Sequence, residues 1–291
     1  MRSELSPIEN LSFYNPHFKK NSGVVKYNYL FLNFVKEQGF DFSPLQFEEE
    51  TTKKSGSAKV YLLRRGEDVC KIRICCSERE ALIIDRNVQY ACSLGLPVSR
   101  SLGVFGPLVL LEYLPGEAFD KGVGNVRSIA RIHAAMNKEI KAGGVENKLR
   151  NLFISSLEVL SGLPNLKNCL SDFNKNFPAE LTPVFDHQDF GINNLIQLQK
   201  GGLAVIDEEA FSILPFGYSL HRAIKGRRKY SVCSSNNEGE EYLRSFPKDR
   251  VGYYQATKNF WETMFRIREG AKVSLTGDKT LARRLVEHGA R

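Results

Sequence analysis

No run of apolar residues in this chain of 291 is long enough to cross a membrane. The longest, residues 108–111 and 203–206, fall far short of the roughly 20 a spanning helix needs. The first ten residues lack the apolar core of a secretory leader and carry Glu4 and Glu9 instead, so a cytoplasmic protein is expected. Cysteine is sparse, and Cys70, Cys75, Cys76, Cys92, Cys169 and Cys233 never fall in a C-x-x-C spacing. That excludes a zinc ribbon or a disulfide scaffold and predicts reduced, mostly buried thiols. Repeats and low-complexity tracts are also missing, which excludes solenoids and collagen-like chains. What remains is ordinary globular material, 42% hydrophobic and 25% charged, of the length of one large or two small domains.

Charge is unevenly spread. The net +8 is carried wholly by residues 221–291, where sixteen Lys and Arg face eight Asp and Glu, and the first 220 residues are neutral. The cluster Lys225, Arg227, Arg228 and Lys229 is a candidate site for an anionic ligand such as a phosphate or an acidic head group, or else a solvated face.

Along the chain, helical spacing over residues 25–37 follows a loose arm. Short β-rich runs come next at 45–52, 58–65 and 68–74, read as an antiparallel meander. Ser77-Glu-Arg-Glu80 opens a helix that ends at Gly95 and Pro97, and strands are predicted at 101–104 and 108–112. Beyond Tyr113-Leu-Pro-Gly116 helical patterns dominate, at 126–136, 145–160 and 253–268, interrupted by one β-rich insertion over 184–206. The pattern predicts an α+β, two-lobed chain: residues 1–111 as a small antiparallel β-rich lobe with its N-terminal arm and helix, 112–116 as a hinge, and 117–291 as a larger helical lobe.

The chemistry concentrates in His187-Gln-Asp189-Phe-Gly-Ile-Asn-Asn194 and Val205-Ile-Asp207. Two apolar runs flank Gln199-Lys-Gly-Gly202 and read as a hairpin. With its centre between Lys200 and Gly201, Asn194 and Asp207 would be opposed, with Cβ atoms ~5 Å apart. A hard cation such as Mg²⁺ takes one or two side-chain oxygens and leaves the rest to water and phosphate. Asn194 and Asp207 would supply them, leaving Asp189 to accept a proton from a substrate hydroxyl. That division of labour is a phosphoryl-transfer site, where positioning and charge neutralisation dominate.

These segments, with Phe185-Asp-His187, Ala204-Val-Ile-Asp207-Glu-Glu, Leu111-Glu-Tyr-Leu-Pro-Gly116 and Ile129-Ala-Arg-Ile-His133, resemble the aminoglycoside phosphotransferase and choline kinase family of small-molecule kinases over about residues 55–223. The resemblance implies a protein-kinase-like fold that binds ATP and magnesium in its cleft. Asp189 would be the catalytic base, Asn194 and Asp207 the metal ligands, and His187 a structural brace. It implies adenine contacts to the backbone of Glu112, Tyr113 and Leu114. Lys71 would meet the nucleotide phosphates, with Arg73 on the same strand face as a rival. Glu80 would be the partner of Lys71, although Ser77-x-x-Glu80 is also a capping box and Glu78 and Asp85 are alternatives. Ser55, Gly56 and Ser57 would form a phosphate-covering turn or a plain hairpin turn. The chain departs from the family at Glu208, where an aromatic residue is common, and at Ser219, where an aspartate is.

The implied activity is transfer of phosphate from ATP to a hydroxyl of a small molecule. Polycationic aminoglycosides fit poorly against a basic helical lobe, so a neutral or anionic sugar-like or glycolipid acceptor is expected. Alternatives are an aminoglycoside kinase, or a non-catalytic pseudokinase or basic nucleic-acid adaptor, with nucleic acid the less expected partner. A protein kinase is disfavoured because no A-P-E segment follows Asp207.

Overall fold

The computed structural model describes residues 59–65, 68–119, 126–141, 143–160, 166–226, 230–275, 277 and 279–288. The expected arm and helix at 25–37, the strand at 45–52 and the turn at Ser55, Gly56 and Ser57 lie outside the described residues. The chain divides into two compact units. One takes the described residues up to Ala118 together with Leu195–Phe211, and the other takes Phe119–Asn194 and Ser212–Arg291.

In the first unit β1 (Lys59–Arg65), β2 (Asp68–Ile74), β3 (Ser101–Phe105) and β4 (Leu108–Glu112) form an antiparallel sheet of order β1-β2-β4-β3. In β2 polar Lys71 and Arg73 alternate with Cys70, Ile72 and Ile74 as a half-covered pleat requires, whereas Leu108–Leu111 of β4 is apolar throughout. Helix α1 (Glu78–Ser93) covers the sheet with Ala81, Ile84, Val88 and Ala91, all buried and spaced three or four residues apart. Ala81, Ile84 and Val88 pack against Cys75, Val109 and Leu111. Ser77 caps the helix by accepting from the Glu80 amide at 3.2 Å. A second, three-stranded antiparallel sheet joins β5 (Gly116–Ala118), β7 (Leu195–Leu198) and β8 (Leu203–Val205). Cys70, Cys75, Cys76, Cys92 and Cys233 stand outside any disulfide, and burial pushes Cys75 up to about 12, far from reactive thiolate.

The second unit is mainly helical: α2 (Val126–Met136), α3 (Val145–Val159), α4 (Leu166–Lys175), α5 (Tyr218–Lys225), α6 (Asn236–Leu243), α7 (Lys248–Leu275) and α8 (Lys279–His288), with β6 (Pro183–His187) beside β9 (Phe211–Pro215). Helix α2 spans the residues expected of it, whereas α7 is longer at both ends than the expected 253–268. The added turns carry Lys248, Asp249, Arg250 and Gly252 at one end and Glu269, Gly270 and Lys272 at the other, which weaken the apolar period from which a helix is read. The core is aromatic. Phe153 stacks on Phe173 with centroids 3.5 Å apart, Phe260 lies 5.3 Å from Phe173, and Trp261 meets Phe260 edge-on at 4.8 Å. No described helix is long and apolar enough to cross a membrane.

Gly217 starts α5 at φ +100°, and a Cβ there would lie 2.8 Å from Trp261 Cε2. Gly217→Ala is therefore expected to cost about 2–4 kcal/mol through backbone strain and overpacking. In a thermal melt the midpoint should fall by about 5–10 °C. Gly143→Ala, whose Cβ would meet nothing within 4 Å, should leave it within about 1 °C.

Candidate active site

The hairpin β7–β8 pairs Leu195 with Val205, Ile196 with Ala204 and Gln197 with Leu203, so its centre falls on Lys200. The expected opposition of positions 194 and 207 is not the register that forms. The Leu198 amide donates to the Gly202 carbonyl at 3.0 Å and the Gly201 amide to Leu198 at 2.9 Å. Gly201 and Gly202 take φ +86° and +88°. That is a three-residue hairpin loop with a glycine bulge, which puts an extra residue on the returning side.

Both residues leave the strands at their ends. Asn194 closes a 3₁₀ turn, Ile192–Asn194. Asp207 takes φ +69° and ψ +57°, and it is the only non-glycine with positive φ among the described residues. A left-handed aspartate is uncommon and marks a position where conformation serves a task.

In the second unit, Asp189 lies in the loop after β6. Asn194 Nδ2 donates to the Asp189 carbonyl at 2.9 Å. This ties down the amide's nitrogen end and fixes Oδ1 as the oxygen presented, accepting at 3.1 Å from Asn193. Asp189 Oδ1 lies 3.0 Å from Arg222 Nη1 and 3.6 Å from Arg268 Nη2. Burial alone would raise the Asp189 carboxyl. The positive charges of Arg222, Arg268 and Lys272 outweigh burial and hold it well below the usual carboxylate range.

The strand feeding this loop is anchored by buried polar groups. Ser219 donates to Asp186, and His133 Nε2 lies 2.7 Å from Ser219 Oγ and 3.2 Å from Asp186 Oδ1. His133 Nδ1 meets the Tyr242 hydroxyl at 2.8 Å, and the His187 amide donates to Asp186 at 2.7 Å. Position 219 thus supplies a hydroxyl, and the carboxylate of this network comes from position 186. His187 is fully buried beside Phe190 with ring centroids 6.3 Å apart.

In the first unit, Lys71 and Arg73 point to the same side of β2, and carboxylates from the segment after β8 meet both. Lys71 Nζ lies 2.5 Å from Glu208 Oε1. Arg73 Nη2 lies 3.2 Å from Asp207 Oδ1, and its Nη1 meets Glu209. The expected pairing of Lys71 with Glu80 does not form. Glu80 completes the helix cap by accepting from the Cys76 amide at 2.7 Å, so its carboxylate belongs to the cap. Glu208 is fully buried, and Lys71 and Arg73 outweigh its burial and depress it to about 2. Glu112, at the end of β4, pairs with Arg100 at 2.8 Å, and the backbone continues irregularly through Tyr113 and Leu114.

In the helical unit Asn194 offers an oriented amide oxygen, and in the strand-rich unit Asp207 offers a carboxylate; each is the kind of hard oxygen donor that magnesium takes.

Sequence reasoning missed Arg222, Arg268, Lys272 and Glu208. Glu208 could have been found from its place beside Asp207. The three cations come from α5 and α7 and carry no local spacing signal.

No family model matches the chain, and no curated protein sequence does. Solved structures do. The choline kinase LicA from Streptococcus pneumoniae is 15% identical, with 89% of this chain and 98% of that one covered and a TM-score of 0.61. An ethanolamine kinase from Plasmodium vivax is 12% identical, with 94% and 90% covered and a TM-score of 0.60. A ternary complex of APH(2")-IIa with streptomycin and ATP is 14% identical, with 89% and 97% covered and a TM-score of 0.60. The chain therefore has the fold of these small-molecule kinases, antiparallel strands first and a helical part after.

Removing the Glu208 charge leaves Lys71 without its buried partner. Glu208→Gln should cost about 3 kcal/mol in urea unfolding at neutral pH, and Lys71→Met with Glu208→Leu should recover most of it. Because the folded Glu208 titrates at about 2 against an ordinary 4.5, the stability it contributes is fully present above pH 4.5 and is lost as pH falls toward 2. The wild-type advantage over Glu208→Gln should shrink across that window.

Proposed function

We propose that the chain is an ATP- and magnesium-dependent phosphotransferase acting on a hydroxyl of a small molecule, a neutral or anionic sugar-like or glycolipid acceptor. The observation that carries this reading is the loop in which Asp189 presents a carboxylate while its own carbonyl orients the Asn194 amide at 2.9 Å. The fold shared with choline, ethanolamine and aminoglycoside kinases supports it.

In this reading Asp189 accepts the proton of the acceptor hydroxyl. The hydroxyl oxygen bonds to the γ-phosphorus of ATP, the bond to the bridging oxygen breaks, and ADP leaves. Asn194 of one unit and Asp207 of the other would be the ligands of magnesium, which would neutralise charge on the phosphates. Lys71, steadied by Glu208, meets the nucleotide phosphates. The backbone of Glu112, Tyr113 and Leu114 would receive the adenine, and Ser55, Gly56 and Ser57, which lie outside the described residues, are the sequence's candidates for covering the phosphates. A phosphotransferase that draws on ATP is expected to work in the cytoplasm.

One observation favours a non-catalytic nucleotide binder as the second reading: Arg73 holds both Asp207 and Glu209. One assay separates the two. Asp189→Asn should lower magnesium-dependent ADP release in the presence of acceptor by about 10²–10⁴-fold while nucleotide affinity stays within a few-fold. Unchanged ADP release in the variant would reject the enzyme reading.

A further inference from the structure

The surroundings of Asp189 are more positive than one carboxylate requires. Arg222 from α5 and Arg268 from α7 both approach Oδ1, at 3.0 and 3.6 Å. Neither completes a hydrogen bond to that oxygen, and Arg222 Nε is buried with no acceptor. Lys272 stands one turn beyond Arg268 on α7 and lies 3.7 Å from Glu269. Three cations thus face two carboxylates. Arg268 first, and then burial, pull the Lys272 ammonium down to about 8, as surplus positive charge would. Arg268 also donates to the Tyr218 hydroxyl and feels the Glu269 carboxylate, and Arg222 lies 5.7 Å from the Tyr230 ring centroid.

The arrangement opens outward. Asp189 Oδ1 is buried although the side chain as a whole is 37% exposed, so the exposure falls on the rest of that side chain. Lys272 is 31% exposed and Arg222 only 9%. A base must lie within hydrogen-bond reach of the proton it takes. Whatever flanks the reacting hydroxyl is therefore set against these cations.

Resting on the phosphotransferase reading, we infer that the acceptor carries an anionic group, a phosphate ester or a carboxylate, beside the hydroxyl that reacts, and that Arg222, Arg268 and Lys272 bind it next to Asp189. Guanidinium forks match the paired oxygens of either group. A cationic amine beside the hydroxyl would instead meet repulsion from the same three side chains.

Two measurements test this. The first is binding of inorganic phosphate without nucleotide, read as a rise in thermal midpoint. A rise of several degrees at millimolar phosphate is expected, and Lys272→Gln, at a partly exposed position that should not endanger folding, should reduce it at least twofold. The second is magnesium-dependent transfer from ATP to matched acceptors: glycerol, glycerol 3-phosphate, D-glycerate and choline. An anionic acceptor is expected to exceed glycerol at least tenfold in kcat/KM, and Lys272→Gln should erase most of that advantage through the KM for acceptor, with the KM for ATP unmoved. Absence of phosphate binding, or binding indifferent to Lys272, overturns the inference. So does preferential turnover of choline, which would leave the kinase reading intact. Lys272-dependent phosphate binding without transfer to any acceptor would support the anion site and count against the kinase reading.

Discussion

One carboxylate oxygen, Asp189 Oδ1, lies against two arginines drawn from two different helices, and that meeting fixes where the carboxylate stands. A half-buried carboxylate is tolerable only if charge or hydrogen bonds compensate the lost water. Here charge does so in excess, from α5 and α7. The strand leading into the loop cannot drift, because Asp186 is gripped by Ser219 and its own neighbouring amide, with His133 and Tyr242 behind. Position and charge at Asp189 are thereby set by contacts remote in sequence.

The strand-rich unit solves the same problem with opposite signs. Lys71 and Arg73 emerge side by side from β2, and the consecutive acids Asp207, Glu208 and Glu209 answer them. Such pairs contribute little net stability against apolar replacements, but losing one partner is costly. They specify which cation stands where: Lys71 is assigned to the fully buried Glu208, and Arg73 to the two flanking acids. The left-handed turn at Asp207 makes room for three successive carboxylates to face one strand.

Much of this architecture was legible in local pattern. Residues 126–136 were read as a helix and are one, because Ile129, Ala130, His133 and Met136 repeat at helical spacing on a buried face. The hairpin was legible from its glycines, but its register was not, since a bulge in the loop displaces the pairing by one residue and leaves no mark on composition. Glu80 was claimed by two rules at once, a capping box and an ion pair, and the cap a few residues away prevailed over a partner on another strand. Arg222, Arg268 and Lys272 were visible only as members of a basic tail. Their convergence on Asp189 is a property of helix packing, which single-sequence periodicity does not encode.

The account stands on the claim that phosphate from ATP ends on a hydroxyl through Asp189. Phosphorus-31 NMR of the chain with ATP, magnesium and the best-used acceptor of the series glycerol, glycerol 3-phosphate, D-glycerate and choline observes that event directly. The account predicts a new phosphomonoester resonance growing in step with ADP, absent with Asp189→Asn. Release of inorganic phosphate alone, or ester formation undiminished by that substitution, would contradict it.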